Sequence, residues 1–502
     1  MSWVLYAILA VPLVAVLLTL VDGWRLARAA TLVAGMVSLG LAITIAIAVE
    51  HGRVLDTAHG WLRVDSLGAV FVLATALVYA MAGVFSIGYL GVEESRPGFP
   101  GFAKRYFALL NLFGWSMLLV PLAADFGTLW VAVELTTIIS ALLVAIDRTD
   151  AALEASWKYV LIASSGLGIA LLSIIVLYAT GTHVLGGAYI PRFTRFLAHA
   201  HGLSPEAVRL AFVLSLVGFG TKVGFVPVHT WLPDAHSEAP APVSAMLSGS
   251  LLAAAFYAIL RFFQVAVANG DRAFAEHALI VFGVISLVAA SFFVLRQGNF
   301  KRLLAYSSIE HMGIIALGIG FGAPLAVAGA LLHVITHASA KGLAFFGTGS
   351  LLRGYGTKEV DGVTDAGRRM PWTGPMFLAA GLALAGLPLS GVFRSELEIV
   401  AGGFARPQYV GVTLLLVFVN VAFFGVVWHI GRMVLSPAAA VGGPASTGGP
   451  ASGAPVAAAG ERSAWMIAGM LGCLFVVVAL GVHLPGDLSA LLSNAGHRLA
   501  AP

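Results

Sequence analysis

The segment GFGTKVGFVPVHTWLPDAHSEAPAPVSAM, residues 218–246, places Lys222 in a glycine-rich apolar run and follows it with prolines and titratable side chains. The rest of the chain is equally apolar, since 59% of its 502 residues are hydrophobic and only 10% are charged. This composition lies far outside the range of soluble proteins. The sequence therefore predicts an all-α integral membrane protein whose interior holds a lysine.

Apolar stretches of span length recur along almost the whole chain, and we expect about 14 transmembrane helices. If the first helix starts outside, the cytoplasmic loops carry sixteen Lys and Arg residues and the outer loops carry nine. This excess predicts a multi-pass protein of the bacterial cytoplasmic (inner) membrane with both termini outside. The predicted spans are 2–20, 27–49, 66–91, 105–123, 127–146, 158–180, 207–230, 241–269, 273–294, 302–322, 324–352, 372–402, 408–432 and 464–483.

Spans 4 to 8 and spans 9 to 13 form two sets of five, and an odd number inverts the second set relative to the first. Spans 7 and 12 support this repeat, because LVGFGTKVGFVP and LALAGLPLSGVFRSELE both combine Gly and Pro with an ionisable residue. We expect both helices to be broken. The predicted domains are an N-terminal three-helix segment 1–104, repeats 105–269 and 270–433, a flexible Pro/Gly/Ala-rich cytoplasmic loop 434–462, and the last span with an outward tail 463–502.

Two opposite charges lie within predicted spans 5 and 7. A carboxylate such as Glu134 inside the membrane costs on the order of 2.5–3.5 kcal/mol even on the insertion scale. Lys222 is its expected partner, because each charge offsets part of the other's desolvation. A Glu134 that only packs, and a purely structural salt bridge, are the alternatives.

Span 11 reads ALLHVITHASAKGLAFF and places His333, His337 and Lys341 at i, i+4 and i+8 on one helix face. Imidazoles titrate near neutral pH and both accept and donate protons, so this ladder suits proton relay. A metal site would need a third ligand, and none stands at an obvious spacing. A structural role for the three residues is the other alternative.

Further titratable residues follow the two predicted breaks and occupy span 10. We expect Glu396 to titrate with Arg394 as the group that sets its pKa, and Glu310 and His311 either to relay protons or to pack. A cytoplasmic inlet funnel is predicted from His229, Asp234, His236 and Glu238, with a solvated loop as the alternative. His429 is isolated in its span and is better explained as a packed histidine.

Three segments resemble the antiporter-like proton-channel subunits of respiratory complex I, multisubunit sodium/proton antiporters and membrane-bound hydrogenases: KVGFVPVHTWLPDAHSEAPAPVSAMLSG, FKRLLAYSSIEHMGIIALG and LLHVITHASAKGLAFF. SSIEHMG and GVFRSELE are most similar to component F of hydrogenase-4 complexes. The resemblance implies proton-path roles for Glu134, Lys222, His333, His337, Lys341 and Glu396. It departs at Ala253, where many relatives carry Lys or His.

The resemblance implies a proton-translocating membrane subunit of a multisubunit redox complex. Its partners would be other membrane subunits and a peripheral NiFe-hydrogenase-like module with iron-sulfur subunits, and not nucleic acid. Cys473 is the only cysteine, so iron-sulfur clusters and thiolate zinc sites on this chain are excluded, and we expect it to hold no cofactor or metal. A sodium/proton antiporter subunit, or a non-pumping anchor for a hydrogenase or carbon-uptake module, are the alternatives.

Overall fold

A computed structural model describes residues 2–21, 23–57, 60–437 and 460–500. Apart from a short hairpin of β1 (Leu55–Asp56) and β2 (Arg63–Val64), the named elements are helical. The first ten α-helices are α1 Trp3–Val21, α2 Trp24–Val49, α3 Ser66–Gly91, α4 Phe99–Leu122, α5 Phe126–Val144, α6 Asp150–Leu185, α7 Phe193–Ala198, α8 Pro205–Val223, α9 Trp231–Glu238 and α10 Ala241–Met246. The other ten are α11 Leu252–Asn269, α12 Arg272–Val294, α13 Phe300–Gly320, α14 Pro324–Tyr355, α15 Ala366–Arg369, α16 Thr373–Leu384, α17 Gly391–Ala405, α18 Tyr409–Leu435, α19 Ala464–Val482 and α20 Gly486–Ala500.

Eleven helices in the described part of the chain are long and apolar enough to cross a membrane. They confirm an all-helical, multi-pass membrane protein. Predicted spans 7, 11 and 12 correspond to α8, α14 and the α16–α17 pair, which are not among the eleven because charges, imidazoles or breaks interrupt their apolar runs. The count of fourteen therefore stays a prediction.

Both predicted helix breaks are present. Helix α8 ends at Val223, and Gly224 caps it in the left-handed conformation with φ +86° before the chain resumes as α9. Helix α16 ends at Leu384, and Gly386 adopts φ +70° before α17 begins. Glycine is suited to these positions because a β-carbon is strained at positive φ. The inverted repeat and the domain boundaries remain predictions.

The most buried helices lie at the centre of the bundle. Helix α13 is buried along its full candidate span, and α3 and the continuous α10–α11 segment are nearly so. Helices α1, α2, α18 and α19 are the least buried of the candidate spans and present apolar side chains such as Leu17, Val33 and Phe475 to the outside. Exposed apolar surface around a polar-containing interior fits a protein whose solvent is lipid.

The C-terminal residues form a helix that sequence reasoning treated only as a tail. Helix α20 buries Leu491, Leu492, Ala495 and Leu499. Polar contacts tie it to other elements: Asn494 Nδ2 donates to the Glu50 carbonyl at 2.5 Å, Arg498 Nη2 to the Gly52 carbonyl at 2.8 Å, and Gln264 Nε2 to the Arg498 carbonyl at 2.8 Å. We call the bundle end that carries α20 the α20 face, and the end that carries α9 the α9 face.

A buried ion pair stands beneath α20. Arg261 of α11 donates from Nη1 and Nη2 to the two oxygens of Asp65, each at 2.9 Å. Burial alone would raise the pKa of the Asp65 carboxyl, but the Arg261 charge and hydrogen bonds from Arg261 and Gly68 lower it to about 2. The pair therefore joins α11 to the start of α3.

Helix α7 is a short helix in the connection between α6 and α8. The predicted flexible loop 434–462 lies largely outside the described residues, since 438–459 are not among them.

Candidate functional site

The first titratable cluster surrounds Lys222 in the last turn of α8, beside the break. Its side chain is fully buried, and Nζ donates to Thr137 Oγ1 at 2.6 Å and to the Tyr159 hydroxyl at 2.5 Å. The Tyr159 hydroxyl also shares a hydrogen bond of 2.8 Å with Ser140 Oγ. Three hydroxyl groups from α5 and α6 therefore form a polar cage around a single ammonium group.

Glu134 lies on α5 one turn before Thr137, but it does not form the predicted direct pair with Lys222. Glu134 Oε1 accepts from Ser164 Oγ at 2.9 Å, and Oε2 is buried without a partner in the described structure. The correction has a simple cause, because Thr137 stands on the same face of α5 and accepts from the ammonium group instead.

The second cluster consists of three imidazoles. His333 and His337 lie on one face of α14, as predicted, and His311 of α13 packs against both, with ring centroids 5.2 Å and 5.1 Å away. His311 Nδ1 and His333 Nε2 are 3.0 Å apart, and His333 Nδ1 is 2.8 Å from Ser395 Oγ of α17. His311, His333 and Ser395 thus form a hydrogen-bonded chain across three helices, whereas neither nitrogen of His337 has a hydrogen-bond partner in the described structure.

Lys341 and Glu310 continue this cluster towards the centre of the bundle. Lys341 is fully buried, and its Nζ donates to the Leu304 carbonyl at 3.0 Å. Glu310 is 3% exposed and interacts electrostatically with Lys341, although the two form no ion pair among the described contacts. Among the described contacts, the buried ammonium group therefore has a backbone acceptor but no carboxylate at ion-pair distance.

Glu396 closes the far side of the imidazole cluster. Its carboxylate lies beside Gly386 at the α16–α17 break, and Oε1 is buried without a partner in the described structure. One ligand atom each of Glu396, His311 and His333 lies within 4.8 Å of the other two. Sequence spacing along span 11 gave no third metal ligand, whereas the fold brings one from α17.

Two histidines and a carboxylate can bind a transition metal such as zinc, which takes nitrogen and oxygen ligands at about 2.0–2.2 Å in tetrahedral geometry. Tetrahedral ligands are spaced by about 3.3 Å at these bond lengths. In the present arrangement two of the nitrogens are joined directly at 3.0 Å. The donor set suits a metal, while the observed hydrogen bond suits a proton relay.

Arg394 does not pair with Glu396 as predicted. Its Nε lies 3.2 Å from Glu398 Oε1, one turn further along α17. Residues two apart on a helix point in nearly opposite directions, whereas residues four apart share a face. Glu398 is therefore the correct partner.

The predicted inlet funnel divides into separate contacts. Asp234 Oδ1 is 2.5 Å from Arg302 Nη1, and Glu238 accepts from Lys358 Nζ at 2.9 Å and 3.0 Å. His229 packs beside Phe293 and Tyr306. His236 is fully buried, stacks on Phe345 at 5.2 Å, and has no hydrogen-bond partner for either nitrogen in the described structure. Asp234 and Glu238 line one cavity together with Lys158 and Arg302, whereas His229 and His236 are not among its lining residues.

Hydroxyl groups occupy the region where relatives were expected to carry a charge. Ala253 is buried at the start of α11, directly after the π-helical turn Leu247–Leu251. On that turn Ser248 Oγ shares a hydrogen bond of 2.7 Å with Ser308 Oγ of α13. π-Helical turns occur often at functional sites. Sequence reasoning missed these serines, as it missed Thr137, Ser140, Tyr159 and Ser395, because hydroxyl residues are common in apolar helices.

The fold and these clusters define a multi-pass helical membrane protein with ionisable side chains buried in its interior. Residues 123–423, more than half of the chain, match the family described as NADH:quinone oxidoreductase/Mrp antiporter, transmembrane. The chain belongs to this family.

Comparison with curated proteins shows which members of this family the chain is similar to. The chain is 35% identical over 386 residues to a hydrogenase-4 component F homolog of Methylacidiphilum infernorum, covering 76% of this chain and 79% of that one. It is 30% identical to hydrogenase-4 component B of Escherichia coli over 67% of this chain and 50% of that one. It is 32% identical to NAD(P)H-quinone oxidoreductase chain 4 of Prochlorococcus marinus over 64% and 59%, respectively. The chain thus spans only half to three-fifths of the last two relatives.

Solved structures share the fold over almost the whole chain. A membrane-bound sulfane sulfur reductase, an archaeal respiratory complex, matches with a TM-score of 0.84 and 23% identity over 99% of this chain and 98% of that one. Respiratory complex I from Thermus thermophilus matches with a TM-score of 0.72 and 25% identity over 96% and 97%. The chain is an antiporter-like membrane subunit homologous to hydrogenase-4, complex I and Mrp components.

Proposed function

We propose that this chain moves protons across the bacterial cytoplasmic membrane as a subunit of a redox-driven complex. The observation that carries the proposal is the pair of buried titratable clusters, one beside each broken helix. Buried ionisable groups inside a membrane protein are costly and are typical of proton or ion pathways. The unpaired buried atoms of Glu134, His236, His337 and Glu396 further support internal water, since buried polar atoms normally have partners.

The proposed path begins at the α9 face. Lys222 takes up a proton from that side, and a change at Glu134 alters how strongly the ammonium form is held. Protons pass by way of the Ser248–Ser308 pair and water to Lys341, and then through the imidazole cluster to Glu396. The proposed direction rests on the excess of Lys and Arg in the loops of the α9 face, which favours a cytoplasmic position for that face and an outside position for both termini.

The partners in this proposal are other membrane subunits and a peripheral module with NiFe-hydrogenase-like and iron-sulfur subunits. Its support is the similarity to hydrogenase-4 components together with a chain that holds one buried cysteine. We propose that the chain carries no cofactor or resident metal and binds no nucleic acid. Co-purification from membranes followed by nickel and iron analysis tests this assignment, and recovery of small membrane subunits without either metal contradicts it.

A sodium/proton antiporter subunit is the second candidate function. One observation favours it, because Glu396 Oε1 is buried without a partner in the described structure and is an available oxygen ligand. Sodium prefers several oxygen ligands, whereas the surrounding site offers mainly imidazole nitrogens. Uptake of radioactive sodium into proteoliposomes under an imposed pH gradient separates the candidates.

The deciding experiment replaces Lys222 with Met in the purified complex. We expect proton flux into proteoliposomes, driven by a potassium diffusion potential, to fall by on the order of tenfold or more, because no other described group replaces this carrier. Lys104→Met, at a partly exposed lysine of α4, is the control. Normal flux in an assembled Lys222→Met complex would overturn the proposed path.

A further inference from the structure

A cavity with a mixed apolar and polar lining lies at the α20 face, outside the path described so far. Its volume is about 340 Å³, and the start of α14, helix α17 and helix α20 enclose it. A water molecule occupies about 30 Å³ in the liquid, so several fit. The polar or charged residues that line it are Arg394, Glu398, Ser489, Ser493 and His497.

Glu398 connects this cavity to the imidazole cluster. Glu398 packs against Gly329 of α14, because a β-carbon added to that glycine would lie 2.8 Å from Glu398 Cβ. Gly329 stands one helical turn before His333, and one turn rises about 5.4 Å. On α17, Ser395 Oγ lies 2.8 Å from His333 Nδ1, and Glu398 follows one turn later. Glu398 is thus the next titratable group beyond His333 towards the α20 face.

Solvent exposure increases from His333 towards Glu398 and Arg394. His333 is fully buried, whereas the side chains of Glu398 and Arg394 are 20% and 33% exposed. Glu398 and Arg394 form an ion pair with Nε and Oε1 3.2 Å apart. A proton that reaches the Glu398 carboxylate displaces this ion pair, and the pair forms again when the proton passes to water in the cavity.

Helix α20 supplies the outer wall of the cavity. Ser493 and His497 line the cavity, while Asn494 and Arg498 hold the helix to the carbonyl groups of Glu50 and Gly52. His497 is the titratable group that α20 contributes to the lining, and Gly322 and Pro324 bound the cavity at the start of α14. Helix α20 is therefore held by hydrogen bonds on one side, and its other side contributes both polar and apolar residues to the cavity.

We infer that this cavity is the proton outlet, with Glu398 as the last carboxylate and α20 as its wall. The inference rests on the proposed function and adds to it the place where protons leave. Glu396, by contrast, lies beside the α16–α17 break on another side of α17 and does not line the cavity.

Flux measurements test the outlet in the same proteoliposomes. We expect Glu398→Gln to lower the proton flux at least about tenfold, because the amide cannot carry the proton. Ser493→Trp should lower it several-fold by filling the cavity. Glu359→Gln, at an exposed glutamate before α15, is the matched control and should leave flux unchanged.

Thiol labelling provides a test that does not depend on flux. Cys473 is fully buried, so Ser493→Cys adds one accessible thiol in an otherwise unreactive chain. We expect a charged, membrane-impermeant maleimide to label it from the outside of intact cells without inner-membrane permeabilisation, and Ser493→Cys labelling should block flux. If the Glu398→Gln complex fails to assemble, the labelling of Ser493→Cys and the flux of Ser493→Trp still test the outlet.

Different results contradict the outlet and the proposed function. Normal flux in Glu398→Gln or in labelled Ser493→Cys, combined with lost flux in Lys222→Met, overturns the outlet and leaves the proposed function standing. Normal flux in Lys222→Met overturns both.

Discussion

The two clusters beside the broken helices use different chemistry within similar backbone settings. Lys222 is surrounded by hydroxyl groups from Thr137 and Tyr159, each of which can accept from an ammonium group but binds protons weakly. His333 instead contacts His311, and an imidazole both accepts and donates. The comparison indicates that the first cluster holds a proton in one place and the second passes it along.

The largest expected effect is the loss of the imidazole chain. His333→Leu removes the only described bridge between His311 Nδ1 and Ser395 Oγ, so we expect proton flux to fall by about two orders of magnitude. His429→Leu is the matched control, because His429 is buried and bonds only to the Gly425 carbonyl of its own helix. Equal flux in both variants would show that His333, like His429, has only a packing role.

Removing the buried charge of Asp65 should affect stability. Asp65→Asn breaks the buried pair with Arg261, and we expect a loss of about 3–5 kcal/mol of stability, measured by thermal unfolding in detergent. The pKa of Asp65 is about 2 against an ordinary 3.8. A lowered pKa stabilises the fold above pH 3.8, and this stability disappears as the pH falls towards 2. The acid sensitivity should be absent in Asp65→Asn, and its persistence would show that another group causes it.

The hydroxyl cage predicts an intermediate effect. Tyr159→Phe removes one acceptor of Lys222 and the bond to Ser140, yet Thr137 still accepts. We expect flux to fall about two- to fivefold, since one hydrogen bond to a charged group contributes on the order of 1.5–3 kcal/mol and water replaces part of it. Tyr106→Phe, also buried and bonded to Ser86, serves as control. A loss as large as that of His333→Leu would mean that Tyr159 itself passes protons.

The smallest effect is expected where the two clusters meet. Ser308→Ala removes the bond to Ser248, and water can replace a serine hydroxyl in a polar channel, so we expect less than about a twofold change in flux. Ser250→Ala, whose hydroxyl donates to Thr75 Oγ1, is the comparison on the same π-helical turn. A large loss in Ser308→Ala alone would make this serine pair a fixed link between the clusters.

The periodic parts of the arrangement were predictable from sequence. The i, i+4 spacing placed His333 and His337 on one face of α14, and Gly with Pro marked both breaks. The Arg394–Glu398 pair has the same i, i+4 spacing and could also have been predicted. The amphipathic pattern GDLSALLSNAGHRLA also predicts helix α20 and could have been recognised.

Contacts between helices were not predictable in this way. His311 joins His333 because α13 packs beside α14, and no spacing within either segment specifies that neighbour. Thr137 takes the place expected for Glu134 because the exact depth of Lys222 against α5 depends on tertiary packing. A single sequence identifies which side chains are costly to bury, but the surrounding helices decide which atoms they meet.

Gly342, the residue after Lys341, has a consequence for how closely α14 approaches α19. A β-carbon there would come within 2.9 Å of Cys473 Sγ on α19, so only a hydrogen atom separates the two helices at this level. Any larger residue at position 342 would therefore have to turn the Cys473 side chain away or push α19 outward. The lysine-bearing helix thus owes its close approach to α19 to a missing side chain next to Lys341.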